Sequence, residues 1–155
     1  MNLKKSSLFL TSAVLSFLLV VNIYNLISTK LQNAQLDRES KSITDQFVTK
    51  LANSWEPNDA RPFFTQSIQD SLGSKSFEML FEYLKKTLGP IKEYSGSKGE
   101  TNFHLSPWGP KWISAEYQCE ANFLYGSGVI SVNLKLEKGG WKVQGFNASL
   151  KTRSP

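Results

Sequence analysis

The chain carries one cysteine and one histidine, Cys119 and His104, and these set the limits on its chemistry. A lone histidine has no second ligand, and a lone cysteine builds neither a disulfide framework nor a multi-cysteine zinc site. His104 stands between Phe103 and Leu105 near a strand end and reads as an exposed or capping side chain. Cys119 stands among apolar residues at strand spacing and reads as a buried, inert thiol. No catalytic residue, no metal ligand set and no cofactor is therefore expected. The remaining residues of note are aromatic. Pro107-Trp108-Gly109-Pro110 is a stiff loop, and Trp112 follows it closely. Tryptophan is enriched at binding hot spots, so Trp108 and Trp112 are the candidate partner contacts. Trp112 has the polar parity of its strand, which favours exposure.

The elements that position these residues are legible from periodicity. Between residues 113 and 125, Ile113, Ala115, Tyr117, Cys119, Ala121, Phe123 and Tyr125 alternate with Ser114, Glu116, Gln118, Glu120 and Asn122. That pattern predicts a half-buried antiparallel strand. Its carboxylates fall on the polar parity, so no buried acid is expected from it. Gly126-Ser127-Gly128 predicts a hairpin, and residues 129–137 alternate again. Lys138-Gly139-Gly140 turns into a last strand whose parity flips at Gly145, the mark of a bulge. Two shorter strands are predicted at 91–96 and 101–106, separated by a turn at Ser97-Lys98-Gly99.

Three helices precede the strands. Ile43, Phe47, Leu51 and Trp55 form a stripe ahead of Pro57. Phe64, Ile68 and Leu72 mark a weaker helix ended by Gly73. Phe77, Leu80, Phe81, Leu84 and Leu88 mark a third, with Gly89-Pro90 as its stop. Helices followed by strands predict an α+β domain, with the helices packed on a curved, cone-like antiparallel sheet of about five strands. Phe77, Phe81, Tyr117, Cys119 and Phe123 are the candidate lining of any pocket inside the cone.

The N-terminus has a different composition. Lys4-Lys5 precedes residues 8–27, an uncharged and largely apolar run of the length of a membrane span. It predicts a transmembrane signal anchor, with residues 1–7 cytoplasmic by the positive-inside rule. Residues 28–40 would then be a helical stalk, 41–150 the folded domain and 151–155 a tail. The localisation expected from this is single-pass in a bacterial inner membrane, with the C-terminal domain in the periplasm. The net charge of +5 is no nucleic-acid signature, because residues 31–155 carry 15 basic against 13 acidic side chains, interspersed.

Three stretches carry a resemblance: Leu88-Gly89-Pro90 running into Tyr94-Ser95-Gly96-Ser97-Lys98-Gly99, then Phe123-Leu124-Tyr125-Gly126, then Gly140-Trp141-Lys142-Val143-Gln144-Gly145-Phe146-Asn147. Over residues 40–150 the chain resembles the nuclear transport factor 2-like (cystatin-like) superfamily, and an anchor with a short stalk also resembles cytochrome oxidase assembly factor one. The resemblance implies helices cradled by a bent sheet; enzymes of that superfamily place a carboxylate base inside the cone. The expected function is a non-catalytic, membrane-tethered binding or assembly module contacting another envelope or membrane protein, or a copy of itself. The alternative is a carrier of a small apolar ligand, or a vestigial enzyme, with a pocket in the cone.

Overall fold

A computed structural model describes the backbone of residues 3–104 and 112–151, with the side chains of residues 3–17, 29, 52 and 53 outside the description. The chain divides into two compact units, Met1–Leu36 and Asp37–Pro155. Helix α1 (Leu3–Ser54) supplies the first unit and opens the second.

In the first unit the expected signal anchor at 8–27 is overturned. Among the described residues no helix is long and apolar enough to cross a membrane. Within the described stretch Leu18–Ile27, Asn22, Tyr24 and Asn25 interrupt the apolar residues. Asn22 donates its side-chain amide to the Leu18 carbonyl at 2.7 Å. The single-pass inner-membrane localisation and the exported domain rested on that anchor and are corrected with it.

The second unit is α+β. The stripe predicted from residue 43 onward faces inward: Phe47, Val48, Leu51 and Trp55 are buried. Trp55 leaves the helix in the left-handed region at φ 49. Its indole Nε1 donates to the Gly89 carbonyl at 2.9 Å, which holds that turn. A short helix α2 (Pro57–Ala60) and a 3-10 turn (Arg61–Phe63) follow. Then α3 (Gln66–Leu88) starts at Thr65, whose hydroxyl caps Ile68 N. The two helices expected on either side of Gly73 are the two halves of α3, kinked at that glycine. Phe77, Phe81, Leu84 and Leu88 are its buried face.

Among the described residues the sheet has four strands, not the expected five or so: β1 (Ile91–His104), β2 (Trp112–Phe123), β3 (Gly126–Glu137) and β4 (Gly140–Leu150), in the order β1-β2-β3-β4 and antiparallel throughout. The turn expected at Ser97-Lys98-Gly99 lies inside β1. Ser, Gly and Lys mimic a turn there because the register slips between Tyr94 and Ser97, with Gly96 at φ 90. Gly99 serves close approach instead: a Cβ there would sit 1.9 Å from the Glu116 carbonyl oxygen on β2. The bulge indicated by the parity flip is present in β4, where Asn133 faces Gly145 and Leu134 faces Val143.

Inward residues of β2 and β3 close over the helices: Ala115, Tyr117, Cys119, Ile130, Val132 and Leu134 are buried. The centre is a cluster of phenylalanines. Phe47 meets Phe63, Phe64 and Phe146 at centroid distances of 5.6, 5.5 and 5.4 Å. Phe77 meets Phe64 at 5.2 Å and Phe81 at 4.9 Å. Aromatic pairs in these ranges add to the burial of their area.

Candidate functional site

Two places gather side chains with chemical potential. The first lies where α1 crosses β1. Asp45 sits one turn after Lys41 on α1, and the bulge in β1 turns Tyr94 and the Ser97 amide toward it. Asp45 Oδ1 accepts from Tyr94 Oη at 2.5 Å, Ser97 N at 3.1 Å and Ser97 Oγ at 2.7 Å. Asp45 Oδ2 accepts from Lys41 Nζ at 2.7 Å. Cys119 Sγ lies 3.7 Å from the same Tyr94 hydroxyl. Tyr117 donates to the Asp37 carbonyl, earlier on α1, at 3.0 Å and lies 2.9 Å from the buried Ser40 hydroxyl. Asp37 Oδ1 takes the Thr101 amide at 2.9 Å.

This cluster is saturated. Burial pushes the Asp45 carboxyl up, but the hydrogen bonds from Lys41, Tyr94 and Ser97 outweigh it and hold the group below its ordinary 3.8. An ionised carboxylate with four donors on it makes a poor proton acceptor at neutral pH. Burial, then the bond to Asp45, raises Tyr94 far above the usual phenol range, so it stays a donor. Burial pushes the Cys119 thiol up to about 11, which keeps it protonated and unreactive. An open groove of about 660 Å³ runs past Lys41, Asp45, Gln46 and Phe63 on the outer side of α1.

The second place is the outer sheet face at the far end of the β1–β2 pair. Register sets His104 opposite Trp112. The rings stack at a centroid distance of 4.7 Å and 17°. His104 Nε2 lies 2.7 Å from Ser114 Oγ. Trp112 is 42% exposed although it is the first residue of a strand in a four-stranded sheet. Beside the stack is a cavity of about 350 Å³ bounded by Ser114, Glu116, Asn133 and Gln144. Glu116 and Asn133 also line a polar groove of about 750 Å³ that continues along Lys98, Glu100, Gln118 and Glu120. Glu100 and Glu116 are direct cross-strand partners. Among the described residues neither belongs to an ion pair. Like charges directly opposite each other are destabilising.

Of the residues singled out in the sequence, Trp112 lies at this corner, and Trp108 lies outside the described residues. The five expected to line a pocket are all buried. Phe77 and Phe81 belong to the phenylalanine cluster. Phe123 stacks on Trp55 at 6.4 Å, and Tyr117 and Cys119 join the polar cluster. Tyr125 lies past the end of β2 and is exposed. Strand parity does not reveal Asp45, because this carboxylate comes from α1. The signal available was Ser40 and Thr44, two polar residues on the same helix that turn out to be fully buried. The search for similar proteins finds no matching family model, no matching curated protein and no matching solved structure.

Proposed function

We propose that the chain is a non-catalytic protein-binding module, and that it engages a partner protein through Trp112 and the outer face of β1 and β2. The exposed Trp112 stacked on His104 carries this reading. An indole already held flat by a neighbour loses little entropy on contact. Glu100 and Glu116 face each other across the β1–β2 pair in a polar groove that Lys98 also lines, so the partner meets this surface with polar and charged groups. The saturation of Asp45 and the raised Cys119 thiol support a non-catalytic reading, since both candidate reactive groups are tied up. The close phenylalanine contacts between helices and sheet support a contact surface over an internal ligand pocket. The helices-then-meander order also supports the nuclear transport factor 2-like assignment, which stands as part of the proposal.

Site-specific photo-crosslinking tests it. A benzophenone side chain at position 112 should trap one protein species that the same probe at Asn122, exposed elsewhere on β2, does not. Equal trapping from both positions, or none from position 112, contradicts the proposal.

A further inference from the structure

The two outer strands of the sheet are finished differently, and this has a consequence for self-association independent of the Trp112 corner. Among the described residues β1 pairs only with β2, yet its outward amides at Ser97 and Thr101 are taken by the Asp45 and Asp37 carboxylates of α1. The first half of β4 is covered as well. Phe64 bridges Val143 in parallel, and Thr65 N donates to the Val143 carbonyl at 3.0 Å. Beyond the bulge at Gly145 that cover ends. Lys151 N donates back to Ser127 of β3 at 2.8 Å, so by alternation Asn147 and Ser149 face β3 while the backbone groups of Phe146, Ala148 and Leu150 face outward. Among the described residues no backbone partner meets those three. Phe146, Ala148 and Leu150 are also only half-buried on the core side.

An open edge without protection is a template for another strand, and natural edges are blunted with charge, proline or cover. Residues 146–150, FNASL, carry none of these. We infer that this segment pairs antiparallel with the same segment of a second copy, about a two-fold axis at Ala148, joining two four-stranded sheets into one of eight.

The occupant follows from the edges themselves. Pairing β4 onto the β1 edge of another copy would build an open chain of molecules, but Asp37 and Asp45 already occupy that edge. That leaves β4 on β4. The segment is self-complementary in this register. Ala148 meets its own copy, Phe146 meets the partner's Leu150, and Asn147 meets the partner's Ser149. Outward-facing residues exchange both bonds with their opposites, so three such pairs make six hydrogen bonds. Lys151, whose ammonium is held by Glu120 at 2.8 Å, falls opposite Gly145 of the other copy and meets no like charge.

The test uses the full chain. Sedimentation velocity should show a monomer–dimer equilibrium within a range up to about 100 μM. Asn147 and Ser149 are exposed, so Asn147→Lys with Ser149→Lys should leave the far-ultraviolet spectrum unchanged while moving the protein to monomer, since the new charges oppose each other across the junction. Ala148→Cys should form an interchain disulfide on mild oxidation, because Cα atoms in a hydrogen-bonded pair stand about 5.5 Å apart, within bridging range. Asn122→Cys, on another strand, should not. A wild-type monomer throughout the range overturns the inference. So does a dimer that survives the paired lysine substitutions, or equal crosslinking from positions 148 and 122.

Discussion

The Asp45 cluster and the Trp112 corner sit on the same strand pair and resolve their polar groups in opposite ways. At Asp45 a carboxylate is surrounded: a lysine, a phenol, a hydroxyl and a backbone amide all donate to it. At Trp112 two carboxylates face each other unpaired and an indole is left in solvent. The first pattern locks α1 onto β1. The second leaves interaction capacity unspent. Residue types alone would have ranked them the other way, since Asp, Tyr and Cys within reach of each other look like chemistry and a Trp–His stack does not. The count of satisfied donors and acceptors decides which is structure and which is surface.

This contrast makes the two regions respond differently to substitution. The largest effect is expected at Asp45. Asp45→Ala leaves the Tyr94 hydroxyl, the Ser97 amide and the Lys41 ammonium without their acceptor, and should destabilise the protein by about 2–3 kcal/mol in urea titration. Loss of under about 0.5 kcal/mol would mean the cluster is not locking the fold. The same group sets an acid limit. Its folded value lies below 3.8, so its contribution is present above that pH and lost as pH falls through the lowered value. Urea midpoints measured from pH 6 down to pH 2 should fall steeply for the wild type and less for Asp45→Asn.

Cys119 sharpens the comparison from the other side of the cluster. Its folded value is raised to about 11 from 9.0, so its contribution is present below pH 9.0 and declines as pH rises through the folded value. At neutral pH a maleimide should label it only after denaturant is added, and rapid labelling of the native protein would revive a covalent role. The smallest stability effect is expected at the open corner, with its sign reversed. Glu116→Gln removes one of two opposed charges and should stabilise the free protein by about 0.3–0.5 kcal/mol while weakening partner binding. A variant that loses stability instead would show that Glu116 has a structural partner.

The sequence carried the element order well, because long alternation in β2 and β3 and the four-spaced stripes in α1 and α3 are set by burial of one face. It misplaced two things. The Ser95–Gly99 stretch has turn composition but is a bulged strand, because glycine serves both a positive φ and close backbone approach, and composition does not separate these. The run at 8–27 has the uncharged composition of an anchor, whereas among the described residues no helix is long and apolar enough to span a bilayer. The Asp45 cluster depends on a helix residue 49 positions before Tyr94 and 74 before Cys119, and no local pattern reports a contact at that separation.

The central claim is that Trp112 belongs to a binding surface and not to the core. The most direct measurement is the affinity of wild type and Trp112→Ala for the protein trapped from position 112, alongside their melting temperatures. The account predicts a loss of about 2 kcal/mol in binding, a roughly thirtyfold rise in Kd, with the melting temperature within a few degrees. An unfolded variant, or one that binds as tightly as wild type, would contradict it.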